Sequence, residues 1–126
     1  MDVKITIQEV SGVSVIGLNG RIVLGQESSA LRDAVKHLVA DGKKKIVLDM
    51  SNVSYIDSAG LGILVASYVS AKTQGASVRL SSLGNKFREI MQITRLFTIF
   101  DIYDSTAAAI DSFPDSKVSA VAAGTV

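Results

Sequence analysis

The chain has 126 residues, a net charge of +1 with 20% charged residues, and no cysteine. This length supports one domain with its own core. The missing thiols exclude disulfide frameworks, thiol nucleophiles and cysteine-based zinc sites and suit a cytoplasmic location, while the balanced charge offers no field that would draw nucleic acid.

The start, Met1-Asp2-Val3-Lys4-Ile5, lacks the apolar segment of a signal peptide. Val3, Ile5 and Ile7 alternate with Lys4, Thr6 and Gln8, the period of a half-buried strand. Ser11-Gly12 reads as a turn into a second strand over residues 13–18, so the two form an antiparallel hairpin, ended by Asn19-Gly20. Residues 21–26 read as a loop in which Ile22, Val23 and Leu24 are partly exposed. A helix capped near Ser28 follows, with Leu31, Ala34, Val35 and Leu38 as its apolar stripe and Asp41-Gly42 as its stop. Lys43, Lys44 and Lys45 then compensate that helix's dipole.

Residues 46–50, Ile-Val-Leu-Asp-Met, are apolar on both faces apart from Asp49 and read as the central strand. A second long helix opens at Ser58, with Leu61, Leu64, Val65 and Tyr68 inward, and ends near residues 73–75. Its apolar stretch, residues 61–69, is interrupted by Gly62 and Ser67 and is far shorter than the roughly 20 residues that cross a bilayer, so no membrane contact is expected. Residues 77–80 form a short strand, and Asn85 caps a third helix with Phe87, Ile90 and Met91 inward. Residues 98–103 form the last strand, and Asp104 or Ser105 caps a final helix carrying Ala108, Ile110 and Phe113. Pro114 closes the domain, leaving residues 1–113 as the folded unit and residues 114–126 as a mobile tail. This order of elements implies the α/β class: a mixed, mostly parallel sheet of about five strands begun by an antiparallel hairpin, with about four helices.

The most informative stretch is Tyr55-Ile56-Asp57-Ser58-Ala59-Gly60-Leu61-Gly62. It joins the central strand to the second helix. Asp57 is a good N-cap, able to accept from the amide of Ala59 or Gly60 at the positive end of the helix. Ser58 becomes the first helical residue, its hydroxyl beside backbone N–H groups without helical partners, an arrangement that favours an added phosphoryl group. Gly60 and Gly62 are poor helix formers, so their use is close approach, either to a neighbouring backbone or to a partner protein.

These residues resemble the signature of the STAS domain of bacterial anti-sigma factor antagonists, and the resemblance extends over about residues 3–113. It implies the STAS fold, phosphorylation of Ser58 by an anti-sigma factor that is itself a serine kinase, and reversal by a serine phosphatase. It also implies a partner-binding surface made of Asp57, Ser58, Ala59, Gly60, Leu61 and Gly62 with Gly20, Arg21 and Ile22 of the preceding loop. The family's acidic residue three positions after the glycine that ends the second strand is replaced here by Val23. A STAS domain serving a lipid or sulfate transporter is the alternative reading. The expected state is a monomer or weak dimer.

Enzyme readings find no support in the sequence. A serine-hydrolase elbow needs glycine two residues before the serine, where Ile56 stands. The lone histidine, His37, flanks the apolar stripe of the first helix and reads as solvent-facing. Phosphate-binding and dinucleotide loops are absent from the sequence, so no cofactor is expected. Asp49 and Asp57 have no His or Cys companions with which to hold a metal. An aspartate-phosphorylated receiver domain would need an acidic pair after the first strand and a lysine after the last, where Gln8-Glu9 and Asp104-Ser105 stand instead. Asp49 is then a strand residue bonding nearby backbone.

Overall fold

The computed structural model describes residues 4–23 and 26–113. The expected tail, residues 114–126, and Leu24 of the expected loop lie outside them. Strands β1 (Lys4–Val10) and β2 (Val13–Ile22) form the hairpin in unbroken antiparallel register. Ser11 and Gly12 join them with φ of 52° and 79°, the paired left-handed conformation whose twist matches the flanking strands. The chain continues through α1 (Gln26–Ala40), β3 (Lys45–Ile56), α2 (Ser58–Thr73), β4 (Ser77–Ser81), α3 (Asn85–Ile93), a 3₁₀ turn (Leu96–Thr98), β5 (Asp101–Tyr103) and α4 (Thr106–Asp111).

The strands lie in the order β1-β2-β3-β4-β5, with β2 to β5 parallel. Each crossover helix therefore steps in the same direction across the sheet, and right-handed crossovers put α1, α2 and α3 on one face. The main core forms there, with Ile16, Leu18, Ile46, Leu48 and Leu80 of the sheet under Leu31, Val35, Leu64 and Met91 of the helices. Helix α4 covers part of the other face, where Ala109, Ile110 and Phe113 pack on Val13, Val15 and Val47. Arg79 holds it down: its guanidinium lies 4.1 Å from the Phe113 ring centroid and donates to Ser112 Oγ.

Several expected details hold. Leu31, Val35 and Leu38 are buried, and Gly42 ends α1 with φ of 86° while its amide donates to Val39 and that of Lys43 to Leu38, the double closure that only a left-handed residue permits cheaply. Lys44, expected to compensate the dipole of α1, instead donates from Nζ to the Gln74 carbonyl at the end of α2. Asp49 accepts from the Ser51 amide at 3.0 Å.

Other expectations are corrected. The segment after Gly20 is not yet loop: β2 runs on to Ile22, whose side chain is fully buried. Strand β3 likewise runs on to Ile56, held by pairing with β2 that continues past two register shifts, which insert extra residues into β3 between Asp49 and Asn52 and between Val53 and Tyr55. Such bulges break the alternation by which a strand is read, and here the second restores what the first displaces. Helix α1 begins at Gln26, ahead of the expected cap at Ser28. In α2 the buried row is Gly60, Leu64, Ser67 and Ala71, rotated from the expected stripe because small residues let the helix lie close to the sheet. Leu61, Val65 and Tyr68 flank that row, half-buried. Helix α3 is capped by Gly84 rather than Asn85. It ends at Ile93; Arg95, two residues on, takes φ of 62° and opens the 3₁₀ turn, which shortens β5. Ser105 caps α4, accepting from Ala108 at 3.0 Å, with Ala109 rather than Ala108 buried.

Candidate functional site

The site lies at the carboxyl end of β3, where strand passes into helix without a loop. Asp57 takes extended backbone angles, φ −101° and ψ −178°, and its Oδ1 accepts from the Gly60 amide at 2.7 Å while its carbonyl accepts from Leu61 at 2.9 Å. Its own amide donates to the carbonyl of Ile22 at 3.2 Å, which ties the corner to the end of β2. Ser58 is the first helical residue and is exposed.

The two glycines divide the roles that the sequence left joined. Gly60 is buried, and a side chain there would drive its Cβ to 2.1 Å from the Ile22 carbonyl oxygen and 2.9 Å from Ile56 Cγ1. This glycine seats α2 against β2. Gly62 is exposed, with nothing within 4 Å of where its Cβ would be, so it leaves the outer face of the first turns bare.

The remaining expected residues separate in the same way. Ala59 and Leu61 are half-buried beside Ser58, and Leu61 packs against the main core. Gly20 is half-buried with φ of 107°, a conformation that favours glycine. Arg21 is exposed, its guanidinium 5.7 Å from the ring centroid of Tyr55, which is itself 54% exposed. Ile22 is the exception to the expected surface: its side chain belongs to the core, and it serves the site only through its carbonyl.

Two neighbours were not legible. Beyond Asp49, β3 has no pairing with β4, which ends at Ser81. The gap leaves a cleft of about 330 Å³ beside the corner, lined by Tyr55 and Ile56 from β3 and by Gly84, Lys86 and Phe87 at the start of α3. No local pattern marks these α3 residues; only the sheet order brings them to β3. An outward aromatic at Tyr55 was the one available signal. His37 is exposed in the last turn of α1. Crossover helices run antiparallel to their strands, so that turn lies at the opposite end of the sheet from Ser58. Among the described residues no cluster of three metal-ligating side chains occurs, and no helix is long and apolar enough to cross a membrane.

A mixed sheet with three crossover helices on one face, and a serine opening the helix that follows the central strand, defines a small α/β domain. The STAS domain pattern matches residues 4–109, and the chain belongs to the STAS domain family. It is 28% identical over 102 residues to the anti-sigma-B factor antagonist of Bacillus subtilis, covering 81% of this chain and 92% of that protein. It is 29% identical over 103 residues to the anti-sigma-F factor antagonist RsfB of Mycobacterium tuberculosis, covering 78% and 81%. The crystal structure of an anti-sigma factor antagonist from Mycobacterium paratuberculosis superposes with a TM-score of 0.78 at 27% identity, over 88% of this chain and 93% of that one.

Proposed function

We propose that the chain is a cytoplasmic anti-sigma factor antagonist: it binds an anti-sigma factor with serine kinase activity through the corner around Ser58 and lets go when Ser58 is phosphorylated. It acts by docking and not by catalysis, and a serine phosphatase resets it. The observation that carries this reading is the exposed Ser58 hydroxyl at the mouth of α2, on a turn whose own hydrogen bonds run through Asp57 and Gly60 and not through the serine side chain. A phosphate there adds about −1.5 to −2 charges without breaking a bond that holds the corner.

Magnitudes favour release. The helix N-terminus stabilises the new anion by about 0.3 to 1 kcal/mol, so the fold tolerates it. A partner that meets Asp57 and Ser58 with a negative group about 6 Å away loses roughly 3 kcal/mol per unit charge at an effective dielectric of 20, more than a hundredfold in affinity. The loss at the interface exceeds the gain at the helix.

The test is intact mass and binding measured together. Incubation with ATP and serine kinases encoded beside this chain should add one phosphate, mapped to Ser58 and absent from Ser58→Ala. Ser58→Ala should still bind the kinase by calorimetry, and Ser58→Asp should not, with unchanged circular dichroism. Equal binding by both variants overturns the switch.

A further inference from the structure

We propose that β1 is a self-association surface: two copies of the chain pair antiparallel along it and join their sheets into one. Strand β1 lies first in the sheet order, and among the described residues nothing pairs with its outer edge. Sheet edges are usually blunted by proline, by a bulge or by a charge in mid-strand. Strand β1 has seven residues in unbroken register, with no proline, and its only charges stand near the two ends, at Lys4 and Glu9. Glu9 is already engaged, accepting from Ser14 Oγ at 2.5 Å and lying 3.7 Å from Lys43 Nζ. The middle, Ile5-Thr6-Ile7-Gln8, is uncharged and strand-forming. Ile5 and Ile7 stand opposite Leu18 and Ile16 on the helix-bearing face, yet Ile7 is left 47% exposed. An isoleucine half in water beside a core strand is what an unfinished sheet presents.

The sequence of β1 is complementary to itself in one register. A two-fold axis normal to the sheet keeps each face continuous, so facing residues must share parity. With Thr6 on the axis, Ile5 faces Ile7 of the second copy and Ile7 faces its Ile5, Lys4 faces Gln8, and no like charges meet. The two isoleucine pairs carry the apolar strip of Ile16 and Leu18 across the joint. With Ile7 on the axis a single isoleucine pair, Ile7 against Ile7, would bridge the joint, and Ile5 would face Glu9. The occupant of this edge is therefore a second copy, with Thr6 on the axis. This inference does not rest on the switch at Ser58, which lies at the carboxyl end of β3, with β2 between that strand and β1.

The chain's lack of cysteine makes the test direct. Facing Cα atoms of an antiparallel pair lie about 4.5 to 5.5 Å apart, within disulfide range. Oxidised Thr6→Cys should give a covalent dimer on non-reducing gels, whereas Gln8→Cys, off the axis, should not. Sedimentation of the wild-type chain from micromolar to near-millimolar concentration should show a monomer–dimer equilibrium, which Ile7→Lys abolishes with unchanged circular dichroism. A wild-type monomer throughout that range, cross-linking through Gln8→Cys, none through Thr6→Cys, or a dimer that survives Ile7→Lys each overturn the proposal.

Discussion

The carbonyl oxygen of Ile22 occupies the space that a side chain on Gly60 would need, 2.1 Å from where the Cβ would stand. Helix propensity alone would favour alanine there by about 1 kcal/mol. The obstacle is backbone, which cannot swing aside as a flexible side chain can, so α2 must lift away from β2 and stretch the Asp57 amide to Ile22 carbonyl bond of 3.2 Å. We expect Gly60→Ala to destabilise by about 1 to 3 kcal/mol net. Urea unfolding checks this, and an unchanged or raised midpoint would remove Gly60 as the seat of the helix.

Gly62 should respond with the opposite sign. Nothing lies within 4 Å of its absent Cβ and it is exposed inside α2, so alanine adds helix propensity without a clash. Gly62→Ala should raise stability by about 0.5 to 1 kcal/mol. The same methyl should weaken docking of the kinase partner, since it projects from the turn that follows Ser58. Thermal melting and calorimetry on one preparation would show stability and affinity moving apart; parallel movement would place the interface elsewhere.

Ser67 stands in the buried row of α2, 1% exposed, with its Oγ lacking a hydrogen-bond partner among the described residues. A buried hydroxyl left unpaired costs about 1 to 3 kcal/mol relative to its hydration in the unfolded chain. Ser67→Ala removes that cost and keeps the small size that lets α2 lie close, at the expense of a minor void. The expected result is a chain stabilised by about 1 kcal/mol, read as a higher urea midpoint with the same slope. A loss of stability would mean that the hydroxyl makes a bond within its own helix.

What the sequence revealed and what it hid follow from range. The N-cap at Asp57, the left-handed stop at Gly42 and the hairpin turn at Ser11-Gly12 are decided by residues within four positions of each other, and each stands as read. The order of elements fixed the parallel sheet because handed crossovers leave few alternatives. Ile22 was misplaced because Asn19-Gly20 carries a turn signal, while pairing with β3 keeps β2 going to Ile22, opposite Ile56. Two bulges hid the last half of β3 behind a broken alternation. The rotated face of α2 depended on Gly60 meeting a carbonyl that is distant in sequence, and no pattern internal to the helix encodes that contact.

Asp57 offers a way to separate capping from charge at the switch itself. Its Oδ1 accepts from the Gly60 amide at 2.7 Å, so Asp57→Ala should cost about 0.5 to 2 kcal/mol of stability, whereas Asp57→Asn keeps an acceptor in the same place and should stay near the wild-type value. Once Ser58 carries a phosphate, the two variants should diverge from the wild type for a different reason. The wild-type corner then holds two anions side by side, and their repulsion offsets part of what the helix N-terminus contributes, about 0.3 to 1 kcal/mol per charge. Asp57→Asn removes the repulsion and retains the cap, so phosphorylation should raise its melting temperature more than it raises that of the wild type. Added salt should shrink the difference by screening it. A melting shift on phosphorylation that is identical in the two chains, at low and high salt alike, would mean that the phosphate does not sense the Asp57 charge, and the electrostatic account of release would then have to rest on the partner's charges alone.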